Sequence, residues 1–136
     1  MGSGTQDQIL HQTDTGVVVK VTDRSAGAKF DGGKVGVWML PPDPLIDIAR
    51  VLDFGAQKYA SYNWTNGIQY SRIFGSLLRH LFAWWKGEDN DPETNLPHLA
   101  HAGCNILFLL QYARTRRSFD DRPVKFYAPE DPIKLG

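Results

Sequence analysis

The residue types best suited to chemistry are concentrated in one run, GEDNDPETNLPHLAHAGCN, which begins at Gly87. The first half of this run is an acidic loop. Four carboxylates fall within six residues of it: Glu88, Asp89, Asp91 and Glu93. Oxygen ligands at this density suit a hard divalent cation such as Mg²⁺. The alternative is an ordinary acidic loop that is solvated and binds nothing.

The second half of the run opens a predicted helix that extends from about residue 96 to about residue 114. His98, His101 and Asn105 follow the spacing i, i+3, i+7 and therefore share one face of it. The other positions are almost all apolar, which predicts a buried helix. A buried imidazole needs a hydrogen-bond partner or a ligand. Imidazoles directly after a carboxylate cluster thus predict a site for a divalent cation and its phosphates, with hydrogen-bonded core histidines as the alternative.

The bulk composition narrows the class of protein. At 136 residues the chain has the size of one domain with a real core. Its 15 basic and 15 acidic side chains balance, which argues against a general binder of nucleic acid or of anionic membranes. The single cysteine, Cys104, favours a reducing compartment. No apolar run is long enough for a membrane span and no signal peptide is recognisable, so we expect a cytoplasmic protein without membrane or nucleic-acid partners.

The N-terminal third is predicted to hold extended chain rather than helix. Residues 1–15 are polar and expected to be poorly ordered, and residues 1–5 resemble a tag remnant as much as native sequence. Residues 16–22 contain four valines and predict a short strand. Residues 34–40 predict either a second strand, which could pair with the first as a ribbon, or an extended arm. The run Leu40-Pro41-Pro42 then stops regular structure.

Two further helices complete the predicted core. The first begins with Asp43 as N-cap and Pro44 as first helical residue, and Gly55 marks or weakens its end. The second extends from about residue 71 to about residue 86, and its wide apolar stripe must pack against more than one neighbour. Prolines are expected to keep residues 115–136 extended. The pattern predicts an all-α protein, a small bundle of three main helices with a short N-terminal β-ribbon or extended arm.

The loop between the first two helices, residues 57–67, is rich in groups that recognise ligands. Tyr59, Tyr62 and Trp64 offer stacking surfaces. Lys58 offers a phosphate contact and Asn63 a donor and acceptor pair that suits a base edge. An aromatic loop that folds back as a cap over the core is the alternative. Carboxylates, cations and aromatic side chains together are the groups needed for a nucleotide bound with a divalent cation.

Several motifs, taken together, resemble a known family. They are KFDGGK at 29–34, MLPP at 39–42, GAQKYASYNW at 55–64, RHLFAWWKGEDNDPE at 79–93 and HLAHAGCN at 98–105. These resemble the phage-associated dATP/dGTP pyrophosphohydrolases, a branch of the MazG-like all-α nucleotide pyrophosphohydrolases, over roughly residues 28–112. The resemblance implies a single domain that hydrolyses dGTP or dATP to the monophosphate and pyrophosphate with Mg²⁺ or Mn²⁺. It also implies phage nucleotide-pool control in the host cytoplasm, and a homo-oligomer, dimer or tetramer, whose neighbouring helices complete the bundle.

If the chain carries out this reaction, the types and positions of its own residues suggest which side chains take part. The divalent cation is expected at four ligands: Glu88, Asp91, Glu93 and His101. The attacking water is expected to be oriented or deprotonated by one of two imidazoles: His98 or His80. The phosphates are expected at three cations: Lys58, Arg79 and Lys34. The purine is expected at two side chains: Asn63 and Trp64.

One feature departs from the MazG-like pattern, which carries Glu-Glu-x-x-Glu on one helix and Glu-x-x-Asp on the next. The chain has only three glutamates, at positions 88, 93 and 130, so that pattern is absent. The same activity would therefore need a site rebuilt around the acidic loop and the histidines. Two alternatives stay open. One is a metal phosphohydrolase of the His-Asp type, which would release triphosphate or phosphate. The other is a nucleotide-binding module without catalysis.

Overall fold

A computed structural model describes the backbone of residues 9–12 and 18–21 and the full chain from residue 27 to residue 128. The chain divides into two compact units, residues 1–40 and residues 41–136. The predicted all-α class is confirmed, since three long helices dominate the described residues. No helix among those residues combines the length and the apolar character needed to cross a membrane.

The first unit contains the predicted ribbon, but with a different partner strand. Strand β1 (Ile9–Gln12) pairs antiparallel with β2 (Val18–Val21), and the strand predicted over residues 16–22 is thereby confirmed. The prediction of a strand at residues 34–40 is wrong. There the Lys34 N–H closes a turn on the Asp31 carbonyl at 3.1 Å, and Val37–Met39 form a 3₁₀ turn. The hairpin of β1 and β2 closes a shorter loop than pairing of residues 16–22 with residues 34–40 would, so it costs less conformational entropy. The remainder of residues 1–15 lies outside the described residues.

The second unit is a bundle of helices α1 (Pro42–Lys58), α2 (Tyr70–Trp85) and α3 (His98–Thr115), followed by a short α4 (Val124–Tyr127). All three predicted helices are confirmed, with bounds that shift by one to three residues. Asp43 is not the N-cap, because α1 begins at Pro42, two residues before the predicted start, and Asp43 lies in its first turn. Gly55 does not end α1 either. The helix continues through it, and the Tyr59 N–H bonds to the Gly55 carbonyl at 2.9 Å.

The core of this unit is centred on Tyr112, whose side chain is fully buried. Tyr70 and Ile73 of α2 complete the buried cluster. The residues packed around it are partly buried: Trp64, Ile68, Phe108, Leu109 and Phe119. The Tyr112 hydroxyl donates a hydrogen bond to the Trp64 carbonyl, which ties the aromatic loop to α3. At Trp64, therefore, the alternative interpretation, in which the loop folds back over the core, agrees with the structure.

The segment after α3 is not the extended tail that the prolines predicted. Arg117–Phe119 form a 3₁₀ turn before α4, and residues 129–136 lie outside the described residues. Asp121 accepts hydrogen bonds from the Ser71 N–H at 2.8 Å and from the Ser71 hydroxyl. A carboxylate at the first N–H groups of a helix satisfies donors that have no partner within the helix. The tail thereby fixes the start of α2.

Helices α2 and α3 each leave an apolar stripe exposed. On α2 its exposed members are Phe74, Phe82 and Trp85, and on α3 they are Leu99, Ile106, Leu107 and Leu110. The prediction that α3 is buried on nearly all sides is therefore wrong for the single chain. On α2 these residues lie eight and three positions apart, and on α3 Leu99, Ile106 and Leu110 lie seven and four apart, spacings that place them on one side of each helix.

Gly67 is the glycine whose replacement we expect to cost most. Its φ is +104°, and an added Cβ would overlap the Phe119 ring. We expect Gly67→Ala to lower the free energy of unfolding by about 3 kcal/mol, from backbone strain and displacement of the ring. Gly87→Ala is the matched control, because its φ is +101° but no atom lies within 4 Å of the added Cβ. Equal losses of stability in urea titrations of both variants would show that the Phe119 contact contributes nothing.

Candidate active site

The acidic loop folds back on itself, which brings its carboxylates to the first turns of α3. Asn90 and Pro97 form an isolated antiparallel bridge. The Asp91 N–H bonds to the Leu96 carbonyl at 2.8 Å, and the His98 N–H bonds to the Asp89 carbonyl at 2.9 Å. The two halves of the run that suggested chemistry are thus in contact, as the sequence predicted.

One set of contacts forms a row of Glu88, His98 and His80, from the loop, α3 and α2. His98 Nε2 lies 2.6 Å from Glu88 Oε1, and His98 Nδ1 lies 2.8 Å from His80 Nδ1. The His98 side chain is buried, whereas the Glu88 side chain is about half exposed. A carboxylate only accepts hydrogen bonds, so Nε2 of His98 carries the proton and its Nδ1 faces His80.

A second set of contacts joins Asp91, Thr94 and His101. Asp91 Oδ2 accepts from the Thr94 N–H at 3.0 Å and from the Thr94 hydroxyl at 3.1 Å. Thr94 Oγ1 also lies 2.8 Å from His101 Nε2. Because the single hydroxyl proton points to the carboxylate, His101 Nε2 donates and its Nδ1 keeps a lone pair. Sequence reasoning missed Thr94. The spacing Asp-Pro-Glu-Thr, typical of an Asx-type turn, is the signal that could have identified it.

The two sets meet where the three imidazoles converge. The rings of His80 and His101 stack at 4.4 Å between centroids with a 6° interplanar angle. One donor atom each from His80, Asp91 and His98 lie within 4.8 Å of one another. We name His80, Asp91, His98 and His101 the histidine–aspartate centre. Its donor set fits a divalent cation, and residues on three different elements build it.

Burial sets the charge of this centre. It lowers the pKa of His80 below the usual 6.5, and the neighbouring imidazoles of His101 and His98 lower it further. Burial likewise lowers the pKa of His101, although the Asp91 carboxylate opposes the shift. Burial raises the pKa of Asp91, but the hydrogen bonds from Thr94 outweigh it, and the net pKa lies below the usual 3.8. At neutral pH the centre thus pairs an ionised carboxylate with two neutral imidazoles, the forms that bind a cation.

The histidine–aspartate centre opens on a cavity of about 690 Å³ between α1, α2, α3 and the two loops. His80, Asp91, Thr94 and His101 line its polar end. Aromatic side chains line other parts of its wall: Phe54, Tyr59, Tyr62, Trp64 and Phe108. Ser76 and Asn105 also line the cavity, and the Asn105 amide donates to the Ser76 hydroxyl at 3.2 Å. Cys104 is present as well, but burial raises its pKa to about 11, so it stays a neutral thiol.

The cavity collects most of the site residues predicted from the sequence. Those that line it are Lys58, Asn63, Trp64, His80, Asp91, Glu93 and His101. Glu88 and His98 do not line it, because they lie behind His80 in the hydrogen-bonded row. Arg79 does not line it either, and its guanidinium lies over Gly75 on the same helix. Lys34 belongs to the first unit, so its phosphate-binding role stays a prediction.

Two predicted binding residues have contacts within the protein that bear on their roles. Lys58 Nζ lies 3.2 Å from Glu93 Oε1, and this exposed ion pair joins the end of α1 to the acidic loop. The hydrogen bond to Glu93 raises the pKa of Lys58 above 10.5. Trp64 stacks on Phe108 at 4.9 Å with an 18° interplanar angle. The Trp64 indole is therefore a fixed wall of the cavity.

The lowered pKa values predict how stability depends on pH in the metal-free protein. Unfolded histidines bind protons below pH 6.5, whereas folded His80 and His101 resist them until lower pH. The free energy of unfolding should therefore fall as the pH drops from 6.5. The double variant His80→Gln/His101→Gln should show a shallower fall. We would measure both in urea titrations at pH 7.5, 6.5 and 5.5. A wild-type fall no steeper than that of the variant would contradict the buried neutral imidazoles.

The fold and site define a small helical protein with a histidine–aspartate centre at one end of a ligand-sized cavity. Residues 24–122 match the sequence profile of the family described as "dATP/dGTP diphosphohydrolase, N-terminal". The chain therefore belongs to this family, and the resemblance noted in the sequence is confirmed to that extent.

A dATP/dGTP diphosphohydrolase of Salmonella phage PMBT28 is 38% identical over 96 residues. The match covers 71% of this chain but only 33% of that relative, so the chain spans about a third of its length. No solved structure matches. The MazG-like ancestry stays a prediction.

Proposed function

We propose that this chain hydrolyses dATP or dGTP to the deoxynucleoside monophosphate and pyrophosphate. The observation that carries the proposal is the cavity. It combines the histidine–aspartate centre with an aromatic wall, in a chain that belongs to a family named for these substrates. A cavity of this size, lined by aromatic side chains and by convergent polar groups, is suited to a small molecule that has both an apolar ring and charged groups. In phage, such an enzyme would act on the deoxynucleotide pool.

The cavity suggests an orientation for the substrate. The purine would lie against the aromatic wall, where Trp64 and Phe108 are already stacked and present a rigid surface. Asn63, exposed at the rim, would reach the base edge. The triphosphate would extend toward the polar end. There Lys58 would exchange its exposed partner Glu93 for phosphate oxygens.

The residues suggest a direct hydrolysis. The oxygen of a water forms a bond to the α-phosphorus, the bond from that phosphorus to the bridging oxygen breaks, and pyrophosphate leaves. His101 lines the cavity, is neutral at pH 7 and keeps a lone pair on Nδ1, so we assign it the proton of the attacking water. Lys58 would balance charge on the departing pyrophosphate.

The reaction is proposed to need a divalent cation, Mg²⁺ or Mn²⁺. Asp91 and the imidazoles of His80 and His98 would hold it, since their donor atoms converge. When bound, such an ion neutralises phosphate charge and acidifies a water molecule. Glu88 and Glu93 fit this role less well, because each of them is engaged with another side chain and more than half exposed.

We propose a homo-oligomer, a dimer or tetramer, in which a second copy covers the exposed apolar stripes of α2 and α3. Leu110 is 63% exposed and Trp85 is 80% exposed. Isolated chains rarely present such contiguous apolar stripes to water. Leu110→Glu should shift the protein from oligomer to monomer in sedimentation velocity. A wild-type chain that sediments as a monomer at all concentrations would refute the proposal.

One observation favours a second candidate, a nucleotide-binding module without catalysis. The matching profile describes an N-terminal domain, and the phage relative is about three times as long as the matched region. Chemistry in that relative could reside outside the matched third. Such a module would bind dATP or dGTP in the same cavity and leave it intact.

Product analysis distinguishes these candidates. The purified chain would be incubated with a panel of deoxynucleoside triphosphates and Mn²⁺, and the products separated by chromatography. We expect monophosphate and pyrophosphate in equal amounts from the purine substrates. Nucleoside and triphosphate would instead indicate chemistry of the His-Asp type. Binding in calorimetry with no product from any substrate would support the module.

A further inference from the structure

The histidine–aspartate centre offers a donor set unlike that of an ordinary magnesium site. Its three convergent donors are two imidazole nitrogens and one carboxylate oxygen, from His80, His98 and Asp91. Magnesium prefers oxygen ligands and keeps much of its water, whereas imidazole nitrogen suits Zn²⁺, Fe²⁺, Co²⁺ and Ni²⁺. The two imidazole nitrogens therefore favour an ion of this second group over Mg²⁺.

The orientation of His98 is the strongest sign of a built site. Its side chain is 3% exposed, and its Nε2 donates to Glu88 at 2.6 Å. This contact turns His98 Nδ1 toward the centre, where it accepts a hydrogen bond from His80 Nδ1 at 2.8 Å. An ion bound between the two nitrogens would displace that proton, which His80 can carry on Nε2 instead. Two nitrogens bound at 2.0–2.1 Å to one tetrahedral ion lie about 3.3 Å apart, so the two rings would need to separate by only about 0.5 Å. A carboxylate on the far nitrogen is also the usual support of a metal-binding histidine.

Asp91 is supported in the same manner. Its Oδ2 accepts two hydrogen bonds from Thr94, one from the backbone and one from the hydroxyl. Its Oδ1 makes no hydrogen bond within residues 27–128 and is available to a cation. His98 and Asp91 are therefore each oriented by a second residue, Glu88 and Thr94, in the way that hydrogen-bonded neighbours orient the ligands of a metal site.

We propose that His80, His98 and Asp91 bind one transition-metal ion, of the class that prefers imidazole nitrogen, in preference to Mg²⁺. Glu88 acts as a positioning residue that directs His98 Nδ1 at the ion. The role of this ion in hydrolysis rests on the proposed function, whereas its binding does not. Three protein ligands leave coordination positions open, as a catalytic ion requires.

Metal binding can be measured without any substrate. The chelator-treated chain would be titrated with Co²⁺, followed by visible absorption, and with Zn²⁺, followed by calorimetry and elemental analysis. We expect one ion per chain, bound at least about 100-fold more tightly than Mg²⁺. A visible Co²⁺ spectrum that a hundredfold excess of Mg²⁺ does not bleach would agree with the proposal. Affinity for Mg²⁺ equal to that for Zn²⁺ would overturn it.

Variants locate the ion. His98→Gln and Asp91→Asn should lose the Co²⁺ spectrum, while Asp89→Asn, the same change two residues away on an exposed side chain, should keep it. Glu88→Gln should bind about 10- to 100-fold more weakly. Because Glu88 is half exposed, this variant keeps the test valid if His98→Gln fails to fold. Unchanged affinity in both Glu88→Gln and Asp91→Asn would overturn the assignment.

The outcome also separates this inference from the proposed function. Zn²⁺ or Co²⁺ bound at the centre with no nucleotide hydrolysis would leave the metal site standing and remove the reaction. Hydrolysis supported by Mg²⁺, in a chain that binds no transition metal, would support the reaction and remove the transition-metal site.

Discussion

We expect Asp91→Asn to lower kcat/KM for purine deoxynucleoside triphosphates by at least about 100-fold, and Asp89→Asn to change it less than about twofold. The reason lies in the loop. The Asp91 carboxylate lines the cavity and belongs to the convergent donor set, while Asp89 is exposed and contributes its backbone carbonyl. Asparagine has the size of aspartate and still accepts the Thr94 N–H, so the loop should keep its shape. Steady-state kinetics on both variants would supply the comparison.

The fold must stay constant for that comparison to hold. Urea titrations should show almost no change for the exposed Asp89→Asn, and a loss of about 1 to 2 kcal/mol for Asp91→Asn, whose side chain is 17% exposed and accepts two hydrogen bonds from Thr94. Similar losses of activity in Asp89→Asn and Asp91→Asn would mean that the loop carries only general negative charge. The specific position of Asp91 in the centre would then have no catalytic meaning.

Tyr112→Ala lowers the free energy of unfolding by about 3 to 5 kcal/mol, the largest effect on stability that we expect. Tyr112 is fully buried, stacks near Trp64 and Tyr70, and donates its hydroxyl hydrogen bond to the Trp64 carbonyl. Removal of the ring leaves a cavity where α2, α3 and the aromatic loop meet. Since a domain has only about 5 to 15 kcal/mol in total, this variant should be close to unfolding at room temperature.

Tyr112→Phe separates packing from hydrogen bonding. It keeps the ring and leaves the Trp64 carbonyl without its partner, so we expect a loss of about 1 to 2 kcal/mol. Chemical denaturation followed by tryptophan fluorescence would measure both variants. A loss in Tyr112→Phe as large as in Tyr112→Ala would show that the hydroxyl, and not the packed ring, holds the aromatic loop in place.

The helices could be predicted because each carries a strong periodic pattern. The apolar stripe of α2 and the Pro97 start of α3 gave bounds within two residues of those observed. The errors came where local signals compete. Asp43 is a good N-cap by type, but the preceding Pro42 already fits the first helical turn, so α1 begins earlier.

The sequence allowed most of the residues that line the site to be predicted, but not how they contact one another. Helical spacing placed His98 and His101 on one face, yet it gave no sign that Glu88 reaches His98 rather than a cation. That contact depends on the fold of the loop through the Asn90–Pro97 bridge, a pairing that residue types alone do not specify. Arg79 was predicted from its charge to bind phosphate. Successive residues of a helix are rotated by about 100°, however, so Arg79 points away from the cavity that the next residue, His80, lines.

The exposed stripes of α2 and α3 show another limit of sequence reasoning. An apolar helix predicts burial but not what buries it. In the single chain Leu99, Ile106 and Leu110 stay exposed, so the pattern that suggested an internal helix is better explained by the proposed contact between copies.

A crystal structure of the chain with Mn²⁺ and a non-hydrolysable dGTP analogue, with anomalous data to locate the ion, tests the account most directly. We predict an anomalous peak among His80, His98 and Asp91, with the triphosphate at that end of the cavity and the purine against Trp64 and Phe108. A peak at the solvent side of the acidic loop, or a nucleotide bound outside the cavity, would contradict it.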